Sequence, residues 1–160
     1  MDILNATCEV SEFTLCGLIL KGKVVELYDA DTCKIVLPLH NNLYKFTCRL
    51  NGIDTPEMKP KKDKVNRDNE IMMAKKARNE LLKMICKEQN EIDLNITKDN
   101  IKKKLADNKR LIIVKCLEFD KYGRLLVELY NENETDTFNR MLVNLNLAVS
   151  YNGGTKITPW

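Results

Sequence analysis

Apolar and polar residues change rhythm several times along the chain, and each change marks an element. Alternating stretches rich in β-branched and aromatic residues, bounded by turn formers, predict strands over 22–27, 33–39, 43–53, 111–119 and 124–130. Between the third and fourth the period lengthens: Met73, Ala77, Leu81 and Ile85 recur every four residues, which predicts an amphipathic helix over 70–86. A second helical pattern follows the last strand, with Phe138, Met141, Leu142 and Leu145 on one face and Thr137 or Asp136 as its N-cap. The polar, asparagine-rich stretch 87–109 keeps only a weak apolar rhythm in Ile92, Leu94, Ile96, Ile101 and Leu105, and reads as a mobile insertion or a short helix. Three strands, a helix, two strands and a helix describe an α+β domain compatible with a small barrel capped by helices.

Composition narrows the function classes. The chain has 160 residues, 31% charged against 44% hydrophobic, which suits one globular domain with an ordinary core. No apolar run approaches the roughly 20 residues of a membrane span. Asp2 and Glu9 stand where a secretory signal would carry basic residues, so the expectation is an intracellular protein with no membrane partner. Cys8, Cys16, Cys33, Cys48, Cys86 and Cys116 are scattered without a CxxC pair and read as free, mostly buried thiols. With His40 the one histidine, any catalytic base must be a carboxylate. The net charge of +3 is too small to name a partner, and the lysines at 59–64 and 102–104 read first as solvated faces.

Candidate chemistry lies at the strand ends. Asp29 and Asp31 bracket Ala30 where the first strand turns into the second; alone, this reads first as an Asx-stabilised turn. Asp54-Thr55-Pro56-Glu57 adds a second carboxylate cluster after the third strand. Pro56 pushes Thr55 into an extended conformation, leaving its carbonyl available as a ligand beside two aspartates. Such hard oxygen donors suit calcium, with Glu57 close enough to act on a water. Arg49 alternates with Cys48 and Leu50 and so projects away from that apolar face, while Arg124 closes Asp120-Lys121-Tyr122-Gly123-Arg124, a tight turn between the last two strands. Guanidinium groups bind phosphate oxygens bidentately; each arginine alone is equally a surface ion-pair partner.

Together these strings closely resemble the staphylococcal (micrococcal) nuclease family, of thermonuclease type. The likeness runs through Tyr28-Asp29-Ala30-Asp31-Thr32, Arg49, Gly52-Ile53-Asp54-Thr55-Pro56-Glu57 and the 120–124 turn, with 139–151 similar to the family's last helix and exit. It covers most of residues 21–151, leaving 1–20 as an N-terminal extension, an insertion near 87–109 and a tail at 152–160. The resemblance implies a five-stranded OB-fold barrel packed with two to three helices. It implies calcium held by Asp31, Asp54 and the Thr55 carbonyl, with Asp29 behind them. Glu57 matches the general base or water-positioning residue, and Arg49 and Arg124 match the phosphate-binding arginines. Tyr122, beside Lys121, matches a substrate contact, as does Tyr151, although the spacing before it differs. Ala30 replaces the usual glycine without removing a ligand.

The implied activity is calcium-dependent endonuclease cleavage of DNA or RNA at the 5′ P–O bond, leaving 3′-phosphate ends. The expected form is a monomer preferring single-stranded or breathing regions. The rivals are a catalytically silent OB module that binds nucleic acid or protein, and an interaction domain using the lysine-rich segments.

Overall fold

The computed structural model describes residues 3–154 and 159–160; of the 152–160 tail, 155–158 lie outside the described residues. Strands β1 (Ile19–Leu27), β2 (Thr32–Leu39), β3 (Asn42–Leu50), β5 (Ile112–Phe119) and β6 (Leu125–Tyr130) close a barrel in the order β1-β2-β3-β6-β5. Neighbours run antiparallel except β3 and β6, which pair in parallel through Cys48↔Leu125, Arg49↔Leu126 and Leu50↔Val127 and so shut the OB-type barrel. Alternation along the strands sends Val24, Ile35, Leu37, Cys48, Leu50, Val114, Leu125 and Val127 inward, all buried. Burying each large aliphatic side chain contributes about 1.5–3 kcal/mol.

Three turns set the strand ends that matter for function. His40 and Asn41, at φ 47° and 65°, make the left-handed pair of a two-residue hairpin between β2 and β3, so the lone histidine is an exposed turn residue. Gly123, at φ 78°, closes the β5–β6 turn with its N–H donating to the Asp120 carbonyl at 2.9 Å. The third turn corrects the expected strand over 43–53. Gly52 is left-handed at φ 74°, which ends β3 at Leu50 and starts a separate two-residue strand β4 (Ile53–Asp54). β4 leaves the barrel and pairs with β7 (Val149–Ser150) through Ile53↔Ser150 and Asp54↔Val149.

Helix α1 (Arg67–Cys86) buries Ala74, Ala77, Leu81, Leu82 and Ile85 and ends at a left-handed Lys87. The stretch expected as a mobile insertion or short helix contains the helix, α2 (Lys98–Asp107), capped by Thr97. Ile101 and Leu105 lie one turn apart and fully buried, packing the helix on β1, so a weak rhythm of isoleucines and leucines was enough to dock it. Helix α3 (Phe138–Asn144) takes Thr137 as its N-cap, the hydroxyl accepting from Arg140 N at 3.1 Å. Leu145, expected on its apolar face, falls past the helix end and is half exposed. Before β1, Leu15 is buried in the core, and Gly17 and Leu18 exchange backbone bonds with Cys116. Of the six free thiols, Cys33, Cys48 and Cys116 are buried, Cys86 is half-buried, and Cys8 and Cys16 are exposed. Among the described residues no helix is long and apolar enough to cross a membrane.

Gly22 sits where the barrel interior leaves no room for a side chain. A Cβ there would stand 2.7 Å from Leu37 Cδ2 and 2.8 Å from Ile35 Cγ2, both in the packed interior. Gly22→Ala is therefore expected to destabilise the fold by about 1–3 kcal/mol through overpacking. Chemical denaturation checks this, as a lowered midpoint with an unchanged slope.

Candidate active site

The ends of β1, β3 and β4 and the β5–β6 turn open onto one cleft of about 890 Å³. The β1–β2 turn contributes Asp29 and Asp31, β3 contributes Arg49, and the segment after β4 contributes Thr55 and Glu57. Lys121, Tyr122 and Arg124 enter from the β5–β6 turn and Tyr151 from the exit of β7. Every candidate read from the sequence lines this cleft except Asp54, which is almost fully buried beside it and is joined to it through Arg49.

The β1–β2 turn is organised by its own first carboxylate. Asp29 Oδ1 accepts from Thr32 N at 2.9 Å and from Asp31 N at 3.4 Å, the expected Asx turn. That turn aims Asp31 at the cleft, and the Asp31 carbonyl accepts from Leu50 N at 2.8 Å, tying it to β3. Burial, and then the neighbouring charge of Asp31, push the Asp29 carboxyl up to about 7.

Arg49 is the centre of the site. Its Nη1 lies 3.1 Å from Asp31 Oδ2, its Nη2 lies 3.2 Å from Asp54 Oδ1, and Nη1 also donates to the Ile53 carbonyl at 3.1 Å. All three side chains are largely sheltered, with 12%, 12% and 2% of Arg49, Asp31 and Asp54 exposed. Two carboxylates from separate elements thus converge on one planar cation. The β4–β7 pairing that follows the Gly52 turn is what brings Asp54 there. Tyr151 covers the guanidinium with its ring centroid 5.9 Å from Cζ.

Arg124 is held differently. Its Nε donates to Asp120 Oδ2 at 2.7 Å, and its Cζ lies 5.4 Å from the centre of the Tyr122 ring. Burial alone would raise the Asp120 carboxyl, but hydrogen bonds from Arg124 and from the Tyr122 backbone hold it below its ordinary value. Asp120 also accepts from Tyr122 N and Arg124 N, both at 2.9 Å, so one aspartate fixes the whole turn. Tyr122 is 72% exposed and offers an open aromatic face at the rim.

Two supporting residues were not singled out from the sequence. Glu70 of α1 is buried, accepts from Glu57 N at 3.2 Å and pairs with Lys64 at 2.7 Å, so it anchors the loop that carries Glu57. Its signal was available: Glu70 stands one turn before Ala74 on the buried side of the helix, where a charge needs a partner. Lys64, read as part of a solvated run, is that partner. Asn139 of α3 accepts from Leu129 N at 3.2 Å and donates to the Asn51 and Val127 carbonyls at 2.9 and 3.1 Å. It clamps the Asn51 turn that redirects the chain into β4.

The donor set can be tested for a cation. Among the described residues no three His, Cys, Asp or Glu side chains gather in a metal-binding arrangement. Asp31 and Asp54 do converge on Arg49, both are oxygen donors, and the buried Thr55 follows Asp54 in the chain. Such a set fits a hard ion that completes its shell with a backbone carbonyl and water, as calcium does, and not one that needs nitrogen or sulfur. Residues 47–157 match the family model described as Staphylococcal nuclease homologue. No curated protein is a significant match to the chain.

Proposed function

The chain belongs to the staphylococcal nuclease homologue family, and from that premise we propose that it is a calcium-dependent nuclease hydrolysing phosphodiester bonds of DNA or RNA. The observation that carries the proposal is the convergence of Asp31 and Asp54 on Arg49 in the cleft that also holds Glu57 and Arg124. A binding module has no need to assemble two sheltered carboxylates, two arginines and a carboxylate base around one space.

In this reading Asp31, Asp54 and the Thr55 carbonyl would hold calcium, which when bound would supply positive charge against the phosphodiester oxygens. Arg49 and Arg124 bind the non-bridging oxygens and stabilise the charge that grows on them as phosphorus becomes five-coordinate. Glu57 aligns a water opposite the 5′ oxygen and takes its proton as the new O–P bond forms. The P–O5′ bond breaks, the leaving oxygen is protonated from solvent, and the products end in a 3′-phosphate and a 5′-hydroxyl. Tyr122 and Tyr151 at the cleft rim support stacking of unpaired bases, so single-stranded and breathing substrates are expected to react faster than stable duplex.

Digestion of single-stranded DNA and RNA with calcium, magnesium or chelator tests the proposal. Cleavage is expected in calcium, little in magnesium, whose smaller octahedral shell draws the two carboxylates differently, and none in chelator. Equal turnover in magnesium alone contradicts the proposed ligands, and binding without cleavage in any metal identifies a silent OB module instead.

A further inference from the structure

Beyond the cleft, the outer wall of the barrel collects positive charge around one carboxylate. Lys34 of β2, Lys45 of β3 and Lys102 of α2 lie 3.3, 3.7 and 3.7 Å from Glu26 of β1. Lys98, one helical turn before Lys102, joins Lys34, Lys102 and Glu26 in lining a groove of about 230 Å³ between the strands and the helix. One carboxylate draws these ammonium groups together and cannot neutralise them all.

The strand register connects this groove to the cleft. Across β2 and β3, Thr32 pairs with Arg49, Lys34 with Thr47, and Val36 with Lys45. Alternate residues share a face, so Arg49, Thr47 and Lys45 form one outward row, and Thr32, Lys34 and Val36 another beside it. Tyr28 and Thr32 line both the cleft and the groove, which sets the two spaces side by side. The far wall is α2, fixed by its buried Ile101 and Leu105. Its first turns carry Lys98 and Lys102, so their charges add to the positive end of the helix dipole.

We propose that this groove is a phosphate-binding track for the strand flanking the scissile bond, with α2 supplying its outer wall. The proposal rests on the nuclease reading of the cleft and extends it from one phosphate to a run of nucleotides. Adjacency to a cleft whose arginines suit phosphate favours a nucleic-acid strand over an acidic protein surface. Lysines, which act as point charges without a planar fork, suit tracking a backbone irrespective of base.

Fluorescence anisotropy of a labelled single-stranded DNA of about 15 nucleotides, in chelator and across a salt series, separates charge from turnover. The Lys98→Gln/Lys102→Gln protein is expected to bind on the order of tenfold more weakly, with the salt slope shallower by about 1.4, because each phosphate neutralised contributes about 0.7. Lys98→Arg/Lys102→Arg should keep both affinity and slope. In calcium, a dinucleotide too short to leave the cleft should be hydrolysed equally by all three proteins. Unchanged affinity and slope in the glutamine variant overturns the track, as does equal weakening in the arginine variant, which would point to helix packing. If the wild type binds with a slope about 1.4 steeper than the glutamine variant but does not hydrolyse the dinucleotide in calcium, the nuclease reading fails and the track stands as a binding site.

Discussion

Replacing Arg49 by lysine is expected to lower kcat by on the order of 10²-fold or more while the barrel stays folded. The guanidinium touches Asp31, Asp54 and the Ile53 carbonyl through its two terminal nitrogens. An ammonium group is a single point and cannot span carboxylates that come from two different elements. Lysine therefore keeps the charge of the site and loses the planar geometry that orders the carboxylates and, in the proposed mechanism, would engage two phosphate oxygens at once. Arg124→Lys should fall in the same range for the second of those reasons, because Asp120 holds the Nε edge that lysine lacks. Circular dichroism and melting curves accompany the kinetics, since a sheltered charge network that loses its cation can also lose stability. A well-folded Arg49→Lys protein with the wild-type rate would remove Arg49 from the chemistry.

Glu57→Gln is expected to have a comparably large effect with a different signature. The amide occupies the same space and retains hydrogen bonding but cannot accept the water proton, so general-base assistance of order 10²–10⁴-fold is lost. A rate that depends on a carboxylate base falls off toward acid pH. In Glu57→Gln that acidic limb should vanish, and the residual rate should increase with hydroxide. Both arginine-to-lysine variants should keep the limb, because they leave the carboxylate in place. The anchoring of Glu57 N by Glu70 makes the comparison cleaner, since the contact is to the backbone and survives the substitution. A folded Glu57→Gln protein with the full rate and an unaltered pH profile would show that another group handles the water.

Much of this site could be read from local pattern, because strand parity and turn chemistry act over a few residues. Arg49 between two inward residues had to face outward, and Cys48 and Leu50 are indeed buried on either side of it. Asp29 as an Asx-turn former and the Asp120–Arg124 turn around Gly123 were legible for the same reason. What escaped depended on contacts between distant segments. The break at Gly52 could be suspected from the residue type, but β4 finds its partner almost a hundred residues later, in Val149–Ser150. Asn139 carries no local signal of its role, because only the barrel brings Asn51, Val127 and Leu129 within its reach. Helix α2 was masked by its own polarity: Ile101 and Leu105 are its only buried residues, and Lys102, from the run that reads as a solvated face, is exposed along a groove.

The central claim is that the cleft built around Arg49 hydrolyses phosphodiesters. The most direct test is to incubate one end-labelled single-stranded oligonucleotide with wild-type protein and with Arg49→Lys, in calcium and in chelator, and to identify the fragment ends by mass spectrometry. The expected result is 3′-phosphate fragments from the wild type in calcium, none in chelator, and on the order of 10²-fold fewer from Arg49→Lys. Fragments that persist in chelator, or that Arg49→Lys releases at the wild-type rate, would contradict it.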